Sequence, residues 1–179
     1  MPAARRPGSA PASPVAPAHL TGPRDLGFEY GSGFHAIDQR GAMSEQNVEF
    51  VKSVYGAFAQ GDVPTVLGSF ADDIEWFEAE GMPYGGVYRG PEAVAQNVFG
   101  PITEDIDGFA LVIEEYVDSG DTVAAVVRYT GTGKATGKAL DVPAVHVWDV
   151  GDGKLTRFRQ FIDTVEYAEV VPAEASVTA

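Results

Sequence analysis

The stretch Val142–Asp163, VPAVHVWDVGDGKLTRFRQFID, restricts the possible folds more than any other part of the chain. Two alternating runs flank Asp152-Gly153, a dipeptide suited to a type I′ turn because both central residues of that turn need φ > 0. On the outgoing strand Val142, Ala144, His146 and Trp148 share one face, and on the return Arg157, Arg159, Phe161 and Asp163 share one. With Asp152 and Gly153 at the centre of the turn, Gly151 pairs with Lys154. The same register sets His146 opposite Arg159, Ala144 opposite Phe161 and Val142 opposite Asp163. A three-residue loop with a bulge would flip the faces. His146 and Asp163 then serve one pocket from points roughly 13 Å apart along the sheet, too far for a direct hydrogen bond.

The rest of the chain divides at about residue 42. Residues 1–42 hold half of the twelve prolines and show no apolar periodicity, so they read as a disordered leader, and Met43 is an alternative translation start. Arg5-Arg6 is not followed by the apolar stretch an export signal needs. From Ser44, a candidate cap, Val48, Val51, Val54, Tyr55 and Phe58 recur at helical spacing. Gly61-Asp62 ends this helix and caps a short second one carrying Val66, Leu67 and Phe70, which Asp72-Asp73 breaks. Residues 74–78 read as a strand, Gly81 to Gly90 as a loop, and Gly90-Pro91 as the start of a third helix with Val94, Ala95, Val98 and Phe99. After Pro101 the pattern is β: Phe109 to Val117, Thr122 to Thr132, then the hairpin, with Glu166 to Val171 a last helical turn or strand extension. Helices first and long antiparallel strands afterwards predict an α+β fold, with the helices on one face of a curved sheet. The expected domain spans 43–172, followed by a flexible tail at 173–179.

Composition narrows function mainly by exclusion. The formal net charge is −14, and beyond residue 42 eight basic residues face 23 acidic ones. Such a surface repels nucleic acid and anionic membranes, so neither is an expected partner. The chain has no Cys, which removes disulfides, thiolate nucleophiles and cysteine metal sites. Glu78/Glu80 and Asp105/Asp107 lack calcium-loop spacing and read as solvated surface groups; no metal is expected. The glycines from Gly81 to Gly90 match no nucleotide fingerprint. A cytoplasmic protein without a cofactor is the resulting expectation.

Several motifs in order resemble the SnoaL-like proteins of the NTF2-like superfamily, relatives of polyketide cyclases and ketosteroid isomerase. They are Gly61-Asp62, Asp73-Ile74-Glu75-Trp76, Gly86 with Gly90-Pro91-Glu92-Ala93-Val94, and His146-Val147-Trp148 with Asp152-Gly153-Lys154-Leu155 running to Asp163. The resemblance covers about residues 45 to 170. It implies a cone in which a bent sheet wraps helices around an apolar cavity, and a homodimer formed through the sheet's outer face. It also implies Asp163 as the cyclase acid/base and His146 as an assisting donor. The isomerase's Tyr and protonated Asp pair has no counterpart at matching positions.

On the residues themselves, Asp163 lies between apolar neighbours, where desolvation favours proton transfer near neutral pH, or it caps a short helix over 165–170, or it forms a strand-end ion pair with Arg159. His146 is the single histidine of the expected domain; it is a titrating group or a satisfied core residue. Arg159 is a candidate for holding a substrate carbonyl or, equally, a surface ion-pair partner. Trp76, Tyr84, Tyr88 and Phe161 are candidate cavity walls, with core packing as the plainer reading. The expected function is cofactor-free acid/base chemistry (cyclisation, isomerisation or hydration) on a small apolar carbonyl compound. The alternative is a ligand-binding or dimerisation module of the same fold.

Overall fold

The computed structural model describes residues 33–172, with side chains from Ser44 onward. The expected leader up to residue 32 and the tail 173–179 lie outside the described residues. Helix α1 (Gly33–Ala59) starts before Ser44, so that residue lies inside the helix and does not cap it. Its inner face buries Val51, Val54 and Tyr55, as the spacing predicts. The helix ends because Gly61 takes φ +71, letting the Asp62 N–H reach back to the Ala57 carbonyl at 3.0 Å. Asp62 then caps α2 (Val63–Gly68) by accepting from the Thr65 N–H at 3.2 Å.

Strand β1 (Phe70–Glu78) begins earlier than expected: Phe70, Asp72 and Asp73 belong to it, not to α2. Its pairing with the last strand is irregular between Phe70 and Glu75, which lets two acidic side chains reach solvent while Phe70 and Ile74 stay buried. The Gly-rich loop contains a four-residue strand, β2 (Gly86–Arg89), paired with the end of β1. Next comes a helical run of three pieces: α3 (Pro91–Val94), a π turn over Ala95–Phe99, and α4 (Gly100–Asp105). Helix therefore continues past Pro101. In the π turn the Gly100 N–H bonds the Ala95 carbonyl, five residues back, and this widening relieves the clash a proline ring makes with the turn before it.

Four long strands complete the sheet: β3 (Ile106–Ser119), β4 (Thr122–Gly133), β5 (Ala139–Gly151) and β6 (Lys154–Ile162). The order is β2-β1-β6-β5-β4-β3, antiparallel except for β1 beside β6. Breaks in register on β3, β6 and β1 bend a curved, unclosed sheet around the helices, the α+β cone. Residues 164–170 form the closing helix α5 (Thr164–Val170).

The hairpin turn is as expected: Asp152 and Gly153 have φ 50 and 71, and Gly151 pairs with Lys154. The register beyond it is not. Leu155 pairs with Val150 but Arg157 pairs with Asp149, so Thr156 is an extra residue in β6. This bulge moves every later β6 side chain to the opposite face. His146 is opposite Gln160, not Arg159, and Ala144 is opposite Ile162, not Phe161. Phe158 and Gln160 point inward, whereas Phe161 is 59% exposed on the outer face.

Candidate functional site

The inner faces of β1, β3, β4, β5 and β6, with α1, α2, α4 and the π turn, line an apolar chamber of about 50 Å³. Period-2 alternation brings Trp76 and Glu78 from β1, Tyr129 from β4, His146 and Trp148 from β5 and Phe158 from β6 to its wall. Trp76 stacks on Phe158 with ring centroids 3.8 Å apart, fixing the indole that presents its N–H to Glu78.

Through this apolar wall runs an unbroken line of hydrogen bonds. The Trp148 indole donates to Tyr55 Oη at 2.9 Å; Tyr55 Oη meets His146 Nδ1 at 2.8 Å; His146 Nε2 meets Tyr129 Oη at 2.7 Å; and Gln160 Nε2 donates to Tyr129 Oη at 2.7 Å. The Ala79 N–H donates to Gln160 Oε1 at 3.1 Å, which fixes the orientation of that amide. Burial pushes the His146 pKa down to about 3, so the ring is neutral and carries one hydrogen. Counting then decides the rest. Tyr55, His146 and Tyr129 hold three hydrogens between them, and the two bonds to the imidazole use two. If His146 carries its hydrogen on Nε2, the Tyr129 hydroxyl hydrogen is left over; if on Nδ1, that of Tyr55 is. In both tautomers a phenol that lines the chamber has a hydrogen with no acceptor in the line. Burial raises the pKa of both phenols, so they act as donors and not as phenolates.

Glu78 supplies the opposite chemistry. It is 4% exposed, its Oε2 accepts from the Trp76 indole at 2.7 Å, and its buried Oε1 has no hydrogen-bond partner among the described residues. Desolvation raises its pKa to about 7, against the smaller pull of Trp76 and, less strongly, Gln160. A carboxyl group with that pKa exchanges protons readily near neutral pH, and one of its oxygens is uncommitted.

The profile of the SnoaL-like domain matches residues 51–158. The chain belongs to that family. Among solved structures, this SnoaL-like domain is similar to an NTF2-like protein of Burkholderia thailandensis, 36% identical, covering 70% of this chain and 96% of that one with a TM-score of 0.68. It is also similar to TerC, co-crystallised with polyporic acid, at 27% identity over 70% of this chain and 97% of that one, TM-score 0.64. An uncharacterized protein of Mycobacterium tuberculosis is 28% identical over 117 residues, 65% of this chain and 88% of its own.

Of the seven candidate site residues named from the sequence, the SnoaL-like chamber collects His146 and Trp76. Asp163 is exposed and caps α5, accepting at Oδ1 from the N–H groups of Val165 and Glu166 at 3.0 and 3.1 Å, and it is not part of the chamber wall. Arg159 lies on the outer face and pairs with Asp149 at 3.0 Å, and Phe161 lies beside it, both put there by the Thr156 bulge. Tyr84 is buried next to the chamber with its hydroxyl on that of Tyr167, and Tyr88 donates to the Tyr84 carbonyl at 2.7 Å; neither is in the wall. Glu78, read as solvated, is the buried carboxylate. The signal for it is Trp-x-Glu on a strand, since period 2 puts Glu78 on the same face as Trp76. Tyr129 is found the same way, in step with Val123, Ala125 and Val127.

Proposed function

We propose that the chamber moves protons at the carbon next to a carbonyl group of a small neutral molecule. Glu78 is the acid/base. The phenol with the unused hydrogen, Tyr129 or Tyr55 according to the tautomer, holds the carbonyl oxygen as negative charge develops on it. His146 touches no substrate atom in this scheme; it orients the two phenols. Trp76, Trp148 and Phe158 form the apolar walls, and water exclusion by them strengthens the donor's effect on the oxygen. The observation carrying this reading is the coexistence, in one chamber, of a carboxyl group with pKa about 7 and a phenol hydrogen without an acceptor. TerC, which this chain resembles, was crystallised with polyporic acid, and that supports an organic occupant. Aldol-type cyclisation and double-bond isomerisation next to a carbonyl begin with this proton transfer, and hydration of a conjugated carbonyl compound ends with its reverse, protonation of the same carbon.

The test is exchange of α-hydrogens of simple ketones for deuterium in D₂O, followed by NMR. Wild-type protein should accelerate exchange, and Glu78→Gln should lose about 10²–10⁴ of that rate, the usual loss for a general acid/base. Exchange undiminished in Glu78→Gln refutes the assignment. The second reading, a binding protein without chemistry, is favoured by the almost wholly apolar wall. It predicts that ketones raise the melting temperature of both proteins while neither accelerates exchange.

A further inference from the structure

A second cavity, of about 410 Å³, lies against the first on the solvent side. Its rim includes the exposed residues Gly61, Thr103, Asp107 and Lys134, so it is a vestibule open to water. Phe58, Phe99, Ile102 and Phe109 line both cavities, and those side chains are the partition between them. Phe58 meets Phe99 edge-on at 5.7 Å and Phe109 at 6.3 Å. Inward, Phe99 leans on Trp76 at 5.7 Å and Phe109 on Tyr129 at 5.2 Å, so the partition touches both the base's hydrogen-bond donor and the phenol.

The volumes make the partition consequential. An engineered apolar cavity of about 150 Å³ takes one benzene. A chamber of about 50 Å³ takes only a few atoms, so any ligand with a ring has to extend through the partition into the vestibule. The three phenylalanines are only partly buried, and each stands on backbone whose regular pairing is interrupted. Phe58 is in the last turn of α1. Phe99 ends the π turn. Phe109 follows Gly108 (φ +63) in a stretch of β3 where the pairing to β4 skips from Asp107 to Ala110. Interrupted pairing is where local opening is least costly. In the vestibule the Lys134 charge is held by the Thr103 carbonyl at 2.9 Å and by Asp107 at 3.5 Å, which leaves no free cation among the described residues there for an anionic tail.

We propose that Phe58, Phe99 and Phe109 form a gate between vestibule and chamber. Through it passes a flat, neutral, ring-bearing molecule that leads with a hydrogen-bond acceptor and leaves its apolar remainder in the vestibule. The gate residues set the width of what is admitted. This inference rests on the chamber being a binding site; the quenching measurement below tests passage alone and is independent of any chemistry at Glu78.

The protein's only two tryptophans, Trp76 and Trp148, both line the chamber, so tryptophan fluorescence reports access to it. Acrylamide, small and neutral, should quench wild-type fluorescence weakly. Phe99→Ala and Phe109→Leu should raise the quenching constant several-fold, while Phe161→Ala on the outer face leaves it unchanged. Near-UV circular dichroism identifies variants that retain the packed core; if Phe99→Ala loses it, Phe109→Leu carries the test. With 2-acetylnaphthalene as probe, the association rate should rise in the same two gate variants and not in Phe161→Ala. Quenching constants equal to wild type in folded gate variants overturn the gate, and so does an equal increase in Phe161→Ala.

Discussion

Replacing Glu78 by Gln has a consequence for stability that can be worked out from one buried group. A carboxyl group whose pKa is higher in the folded state than in the unfolded chain holds its proton more tightly when folded. Its contribution is fully present below the unfolded value and is lost as pH rises through the folded value. For Glu78 those values are 4.5 and about 7. At about 1.36 kcal/mol per pKa unit, wild-type protein loses about 3 kcal/mol across that window and nothing further above it. His146 acts in the opposite direction. Its pKa falls from 6.5 to about 3, so its contribution is complete above 6.5 and is lost as pH falls towards 3. From 4.5 to 6.5 the two slopes oppose each other, and the wild-type profile understates both. The difference between Glu78→Gln and wild type removes the histidine from the comparison. Gln keeps an oxygen for the Trp76 indole, so the substitution adds only a pH-independent offset. In urea denaturation between about pH 5 and about pH 8, the stability of the Gln variant relative to wild type should rise by about 3 kcal/mol and then level off. Parallel profiles would mean that Glu78 ionises in the folded protein much as it does in the unfolded chain, and the assignment of an acid/base with pKa about 7 would fall with them.

Two further outcomes follow from geometry elsewhere in the fold. Asp163→Ala should cost about 1 kcal/mol of stability and Asp163→Asn almost nothing, because Asn also caps a helix; neither should change ketone exchange, and a large exchange loss in Asp163→Asn would return that residue to the site. Outer-face Val126, Val145 and Phe161 are cross-strand neighbours on β4, β5 and β6, and the wild-type protein is expected to be a homodimer through this patch that Phe161→Glu splits; sedimentation giving only monomer for wild type at micromolar concentration would refute it.

Sequence and structure agree wherever a local rule has no competitor. Gly61-Asp62 ends one helix and starts the next because the glycine accepts φ +71 and the aspartate offers a cap. Asp152-Gly153 turns the hairpin because both residues tolerate positive φ. Alternation on β5 puts Val142, Ala144, His146 and Trp148 on one face, and all four are buried. Prediction fails where a single irregularity outweighs periodicity. Pro101 reads as a stop, yet the π turn before it lets the helix continue to Asp105. Thr156 carries no mark of a bulge, since Leu-Thr-Arg fits a regular strand as well as a bulged one. One extra residue there moved Arg159 and Phe161 from the expected cavity to the outside and brought Phe158 and Gln160 in.

Glu78 was hidden for a different reason. A carboxylate at a strand end beside Gly-rich sequence is normally solvated, because burying it ionised costs several kcal/mol. Three features of the tertiary fold make the burial tolerable. An indole N–H is supplied two residues away on the same face; β2 pairs with the end of β1 and places Gly86 beside it. The shift to a pKa of about 7 removes much of the charge near neutral pH. The first feature is visible in the order Trp76-Phe77-Glu78, whereas the other two exist only once the sheet has curved around the chamber. A buried acid of this kind is recognised from its surroundings, so the search for it has to begin from the apolar face and ask which polar side chains share its parity. Applied to β1, β4 and β5, that rule selects Glu78, Tyr129 and His146, three of the groups on which the proposed chemistry depends.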